Sequence, residues 1–383
     1  MRLTKSGLNT ATYVAFIALI LAAPLVFDPF WLNRLSKYLV FGMLGAAIAV
    51  SWGYAGILNL GQGLFFGLGA YAIAMSLKLA SATSLAQGSD TPIPDFMLWN
   101  AEPGAPTELC CITKGSFLWI PFQSPWFGIA MGIVAPVAIA FGLGMVVFRK
   151  RISGVFVSII TLSVVLLMRL LLVQAQPLTN GFNGLTDLGY LTVLGLEFDP
   201  YMPQTYYLVA ISLALVLVGA RLLVETRSGL ILQAIRDDDR RARFLGFDVP
   251  RYQTFFFCAS AAISGYAGML YVMASEFASP TFMDLSFSIT MVVWAAVGGR
   301  NSILGACIGA ILINMIEATV SETPALMEAW RVVIGLAFVF AVLFLPRGLA
   351  GLAAGLRDWL VARSEGARPH AAPIPAAEER GRA

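Results

Sequence analysis

Charge is what this sequence has least of. Only 12% of its 383 residues are Asp, Glu, Lys or Arg, while 58% are hydrophobic. A soluble domain carries about 25% charged residues, because a surface facing water demands them. Half that share means that most of this surface faces something else. Histidine is almost absent, with the single copy at His370. The four cysteines form no framework: Cys110 and Cys111 are adjacent in a polar stretch, and Cys258 and Cys307 lie inside apolar runs. No C-x-x-C or His/Cys spacing points to a metal, so none is expected. Paired acids, Ser/His clusters and H-E-x-x-H are missing from the apolar runs, which excludes intramembrane proteolysis and leaves no catalytic residue to name. G-x-x-x-x-G-K-[ST] does not occur either, so the chain cannot hold ATP in a P-loop, and no bound cofactor is expected. A net charge of +3 is too small to suggest nucleic acid as a partner.

What the sequence does have is apolar runs. A hydrocarbon core of about 30 Å takes around 20 helical residues. Ten runs approach that length, near 11–30, 37–53, 56–79, 126–148, 152–174, 206–224, 254–274, 284–299, 303–320 and 330–346. The expectation is an all-α, polytopic membrane protein of about ten transmembrane helices. Its transmembrane body covers 1–350, followed by a tail at 351–383 whose Ala-, Pro-, Arg- and Glu-rich end reads as disordered. Arg2 and Lys5 before the first run imitate a signal peptide. The run from Ala11 to Phe27 is longer than the ~7–15 residues of a secretory core and no A-x-A site follows, so it reads as an uncleaved first helix. The break within 37–79 rests on Ser51-Trp52-Gly53, and at Gly298-Gly299-Arg300-Asn301 a tight turn and a re-entrant segment fit equally well.

Charge placement supports that count. With ten spans and both termini cytoplasmic, Arg149-Lys150-Arg151, the stretch from Arg227 to Arg251, Arg300 and Arg347 all fall on the inner side, as a multi-pass protein of the bacterial inner membrane requires. Arg34 and Lys37 are the exception. The opposite side carries a long extracytoplasmic loop at 81–125, with Trp99, Trp119 and Trp126 suited to the interface, and a second at 175–205 with the turn cluster Asn180-Gly181-Phe182-Asn183-Gly184. Lys78, Arg169, Asp284 and Glu317 lie toward the ends of runs, where long side chains anchor at the interface. An interior without ionisable groups argues against proton- or sodium-coupled transport through a carboxylate.

Two segments stand out. Residues 53–71 read G-Y-A-G-I-L-N-L-G-Q-G-L-F-F-G-L-G-A-Y, and small residues let helices approach closely in lipid. Asn59 and Gln62 within it either line a path for a polar solute or hydrogen-bond between helices. Gly298-Gly299 and Gly305-x-x-x-Gly309 repeat the theme, hinting at two related halves. The second segment is the loop at 225–253. Ser228 is expected to cap a helix from about Gly229, with Leu230, Ile231, Ala234 and Ile235 as its apolar stripe beside the charged Arg236 to Arg243. Phe244 and Leu245 form a second patch before Gly246 ends the helix, and Pro250 is expected to delay the next one. Such a pair lies on headgroups or in a groove of a protein partner, and Asp237 to Asp239 disfavour an anionic surface.

Taken in order, six pieces of residues 35–352 resemble the permeases of branched-chain amino-acid ABC transporters, the LivM-like subunits. They are the run from Gly53, R-I-S-G-V-F-V-S-I-I-T-L-S from Arg151, N-G-F-N-G-L-T from Asn180, S-G-L-I-L-Q-A-I-R-D-D-D-R-R-A-R-F-L-G-F-D-V from Ser228, V-G-G-R-N-S-I-L-G-A from Val297 and L-F-L-P-R-G-L from Leu343. N-G-F-N-G-L-T and the Trp-rich 81–125 loop are more similar to the urea-transporter branch. The resemblance implies an importer fold of about ten spans, with the 225–253 loop as the coupling element and Gly229, Ala234, Arg236, Asp237, Asp238 and Gly246 as its coupling residues. It implies a second permease subunit, two cytoplasmic ATPase subunits that use the ATP, and a periplasmic solute-binding protein. Asn59, Gln62, Asn180 and Asn183 become candidates for the solute path. A neutral solute such as urea suits a charge-free path; a branched-chain amino acid or amide, and then an ATP-independent channel, are the alternatives. One departure is that the coupling segment commonly has a glutamate near its acidic centre, and here all three acids are Asp.

Overall fold

The computed structural model describes residues 5–82, 94, 119–152, 154–193, 195–322, 335, 339, 348–351 and 355. The expected tenth span at 330–346, most of the 81–125 loop with Trp99, Cys110 and Cys111, and the tail with His370 lie outside the described residues.

Among the described residues, nine long helices occupy the first nine expected spans. They are α1 (Lys5–Ala22), α2 (Pro29–Ile48), α3 (Gln62–Ser81), α4 (Pro125–Arg149), α5 (Val155–Gln174) and α6 (Pro203–Glu225), followed after two short helices, α7 (Arg227–Asp237) and α8 (Asp239–Phe244), by α9 (Val249–Ser275), α10 (Leu285–Gly298) and α11 (Ile303–Glu322). Among the described residues seven are long and apolar enough to cross a membrane; α10 and the apolar part of α1 are shorter. A two-stranded antiparallel hairpin, β1 (Leu191–Val193) and β2 (Leu196–Phe198), sits in the α5–α6 loop. An all-helical reading did not foresee it.

Prolines at the first turn start α2, α4 and α6, where a missing N–H is harmless and the fixed φ is already helical. This is why α2 begins at Pro29 rather than near 37. Its first turns then carry Arg34, the exception in the charge count, which stacks over Trp31 and pairs with Glu322 at the end of α11. The second boundary also differs from expectation. α2 continues through a π-helical turn, Ala49–Tyr54, and α3 starts only at Gln62 rather than 56. Gly56 causes the delay: its φ of +70° is left-handed, and a Cβ there would lie 2.7 Å from the Arg236 side chain. After α10 the chain makes a tight turn, with Gly299 at φ +110° and Tyr54 Oη donating to the Asn301 carbonyl (3.0 Å).

The helices sort into an inside and an outside. In α3, 83% of the most apolar stretch is buried, against 22% in α5. Helices apolar all round but open on one side suit a lipid environment. The inner ones pack through small residues: a Cβ at Gly69 would overlap the Gly265 carbonyl of α9, and one at Gly268 the Phe66 carbonyl of α3. In lipid, close backbone approach of this kind replaces the hydrophobic drive between helices. α1 is held from outside by Tyr206 of α6, whose hydroxyl donates to the Ile20 carbonyl (2.8 Å).

Candidate functional site

Polar side chains inside the bundle gather where α2 breaks. Residues 55–61 are non-helical, a state tolerated at membrane depth only under protein cover or along a cavity. Cover is supplied locally. Ile57 N–H donates to the Ser51 carbonyl (2.8 Å), Ser158 Oγ of α5 to the Leu58 carbonyl (2.7 Å), and Gly61 N–H to Asn59 Oδ1 (2.7 Å). From there a relay crosses the bundle. Asn59 Nδ2 donates to Gln62 Oε1 (2.5 Å), Gln62 Nε2 to Ser260 Oγ on α9 (2.6 Å), and Ser260 Oγ to the Ala47 carbonyl on α2 (2.7 Å). Asn59, Gln62 and Ser260 are all buried. The node is uncharged, and it fixes the break to two other helices.

Asn180 and Asn183 are elsewhere. Asn180 follows α5 in a left-handed conformation, and its Nδ2 donates to the Gly184 carbonyl (2.8 Å); Asn183 is exposed. Leu185 and Ala278 then exchange both backbone hydrogen bonds, stapling this turn to the α9–α10 loop. Gly61 abuts Thr161 near the start of α5, whereas Asn180 lies beyond its end. The two pairs are therefore about 20 Å apart along the helix. At this end of the bundle the charges of Glu276 and Asp199 push the Tyr190 phenol up, which marks the surface near the hairpin as acidic. Arg169 and Asp284, expected as separate interfacial anchors, pair with each other between α5 and the start of α10. Lys78 is buried in the last turn of α3, where a cation complements the helix dipole.

The 225–253 segment forms the other polar concentration. Thr226, not Ser228, caps α7: its Oγ1 accepts from Gly229 N–H (3.2 Å). Starting the helix at Arg227 rotates the expected stripe. The buried residues are Gly229, Leu232 and Ile235, while Leu230 and Ala234 face outward. Gly229 is required because any Cβ would meet the Val224 and Leu223 backbone at the end of α6. Asp238 caps α8, accepting from Arg240 and Arg241 N–H (3.1 Å each). Gly246, at φ +87°, closes α8 as expected. Pro250 does the opposite of delaying the next helix, since it stands in the first turn of α9. Ile235, Ala242 and Val249 make a small core of their own with Ile231 and Tyr252. Phe244 (90% exposed) and Leu245 (76% exposed) project away from it.

Arg236 joins the two concentrations. Its Nη1 donates to the Gly53 carbonyl (2.6 Å), and its Nε and Nη2 hold Asp237 Oδ1 (3.1 and 3.0 Å). The sequence marks Arg236 as a surface charge and gives no sign of this reach. Ser260 was missed as well. It lies in the run A-S-A-A-I-S-G, whose two serines among small residues were the available signal. Further along the inner helices, Tyr71 Oη, Ser264 Oγ, Ser288 Oγ and Trp294 Nε1 are buried and make no hydrogen bond among the described residues.

Comparison with known proteins places this bundle. The family of branched-chain amino acid transport system permease components matches residues 30–342, and the chain belongs to it. The chain is 27% identical over 249 residues to the high-affinity branched-chain amino acid transport system permease protein LivM of Salmonella typhimurium, covering 58% of this chain and 57% of the relative. To LivM of Escherichia coli it is 28% identical over 243 residues, covering 57% and 55%. It is also similar to the ribose import permease protein RbsC of Haemophilus influenzae, 21% identical over 196 residues, covering 48% and 59%. The chain thus spans little more than half the length of the LivM relatives it matches. No solved structure matches.

Proposed function

We propose that this chain is a permease subunit of a binding-protein-dependent ABC importer of the inner membrane, moved from its cytoplasmic side through α7 and α8. The observation that carries this reading is the Arg236 hydrogen bond to Gly53. It connects an exposed, self-capped helical pair to the non-helical stretch between the buried helices α2 and α3. The implied partners are a second permease subunit, two ATPase subunits and a periplasmic solute-binding protein. ATP stays on the ATPase subunits, and this chain supplies the membrane path. As the ATPases close, motion of α7 pulls on the α2 break through the Arg236 fork and shifts the Asn59–Gln62–Ser260 relay. A partner changes that balance only by binding the two states differently.

The solute class follows the LivM relatives, whose names carry branched-chain amino acids. A second reading, urea, is favoured by the uncharged node. A zwitterion calls for opposite charges or aimed helix ends along its path, whereas a neutral amide-like solute is served by Asn, Gln and Ser groups. The unpaired Tyr71, Ser264 and Ser288 hydroxyls add neutral polar contacts to such a path.

The test is uptake by the assembled transporter in vesicles, with leucine and urea compared at saturating binding protein. Uptake of either that depends on ATP supports the importer and names the solute; uptake that persists without ATP replaces it with a channel. Ala234→Glu on the exposed face of α7 is expected to abolish uptake while the chain still folds and inserts. Normal uptake in that variant would remove α7 from the coupling role.

A further inference from the structure

The outside of the bundle carries a furrow between α4 and α9, about 700 Å³ in volume. Ala259 and Ala262 are its floor, and Val137, Phe141, Met145 and Phe255 rise as its walls. Phe141 and Phe255 are each about half exposed, so the walls project outward rather than closing over. Little of its lining is polar. Cys258 Sγ lies 3.9 Å from the Val137 carbonyl, and Thr254 packs against Gly144.

One end is different. Arg149, the last residue of α4, and Arg251, in the first turn of α9, line the furrow where it opens on the α7–α8 side. Both are exposed, and Lys150 follows at once. Arg251 is held by Asp248 (2.8 Å) in a largely exposed pair, which is weak enough to exchange. No carboxylate among the described residues pairs with Arg149. The lip of the furrow therefore has more positive than negative charge. From Val137 to Arg149 the α4 backbone rises about 18 Å, close to one leaflet of a ~30 Å hydrocarbon core.

We propose that this furrow seats an acyl chain of an anionic phospholipid from the leaflet on the α7–α8 side, with its phosphate between Arg149 and Arg251. The match is one of shape and charge together. An apolar slot one leaflet long ends in two guanidinium groups, and an anionic lipid is one apolar tail ending in one phosphate. A protein helix laid in the same slot would cover Arg149 and would have to bring its own acid. The site does not depend on which solute the chain moves.

The experiment uses the full chain in phosphatidylcholine vesicles containing a trace of photoreactive lipid, with the reactive group in the acyl chain. Phosphatidylglycerol and phosphatidylcholine versions are compared, and labelling is mapped by mass spectrometry. The phosphatidylglycerol probe is expected to label residues 255–262 roughly tenfold more than the phosphatidylcholine probe. Arg149→Gln with Arg251→Gln should erase that preference, and Ala259→Leu with Ala262→Leu, which fills the floor and keeps both charges, should reduce labelling by both probes. Equal labelling by the two headgroups, or a preference that survives the double arginine change, overturns the proposal. So does loss of all lipid labelling on assembly with the other transporter subunits together with crosslinking of Cys258 to a second polypeptide, which would make the furrow a protein interface.

Discussion

The break between α2 and α3 and the α7–α8 pair are both short, glycine-containing departures from long helices, yet they are held in opposite ways. Around the break, backbones touch backbones: Gly69 lies against Gly265, Gly268 against Phe66, and the polar relay has no charge. Around α7 and α8 one glycine, Gly229, packs tightly on the end of α6, but the far end of the pair is open. Gly246 has nothing near the position of a Cβ, and the charges pair locally, Arg241 with Asp238 and Arg243 with Asp239. The first region is rigid because lipid offers no alternative partner for its polar groups. The second is self-contained, and water can replace any of its ion pairs at small cost. A movable handle attached to an immovable lock is what transmission needs, and Arg236 is where they meet.

The comparison breaks most severely at Gly69. Gly69→Val places branched carbons against the Gly265 carbonyl, and overpacking of this sort costs about 1–3 kcal/mol or more where backbone must move. We expect little folded protein by size-exclusion chromatography in detergent. Gly142→Ala, with open space around it, should leave the elution profile and Tm unchanged or slightly raised.

Next comes the relay. Gln62→Leu strands Asn59 Nδ2 in a dry interior, while Ser260 keeps its bond to the Ala47 carbonyl, at a cost of about 1–3 kcal/mol for an unsatisfied buried group. Asn59→Ser with Gln62→Leu removes the stranded amide, keeps a side-chain oxygen for Gly61 N–H, and should melt closer to the parent than the single change does. If the two variants melt alike, the relay is not a coupled unit. If the double variant also keeps normal uptake affinity and rate, these residues serve packing alone.

How much of this was legible beforehand differs between the same two regions. The nine described long helices were, because about 20 apolar residues announce a membrane span wherever they occur. The importance of Gly53 to Tyr71 was also visible, but not the place of the break. That depends on Gly56 taking a left-handed φ under Arg236, a contact 180 residues away in sequence. Ser260 was hidden because a serine among alanines reads as a small packing residue. In the loop the elements were found and their phase was lost. Thr226 and Ser228 both suit a cap, and a start two residues earlier turns the helix far enough to exchange Leu230 for Leu232 on the buried face.

A smaller effect is expected at the joint. Arg236→Lys keeps the charge but replaces a planar fork with a point donor, which cannot hold Gly53 and Asp237 together in the same geometry. Insertion and melting should be unchanged. ATP-dependent uptake by the assembled transporter should fall roughly tenfold, about 1.4 kcal/mol, while ATP hydrolysis by the partner subunits continues. Uptake and hydrolysis falling in proportion would mean that Arg236 affects docking and not transmission.

The smallest effect separates two roles of Asp238 within the handle itself. Its carboxylate caps α8 and also pairs with Arg241 at 3.0 Å, a contact whose arginine is largely exposed. Asn caps as well as Asp does, so Asp238→Asn keeps the cap and discards only a weak ion pair. Asp238→Ala discards both and should cost about 1 kcal/mol of local helix stability. Hydrogen exchange at the Arg240 and Arg241 amides should therefore speed up in the Ala variant and stay near the parent rate in the Asn variant, with uptake following the same order. If Asp238→Asn loses uptake as fully as Asp238→Ala while its amides remain protected, the charge is read by a partner and the cap is incidental. The three consecutive acids would then be a recognition feature in their own right.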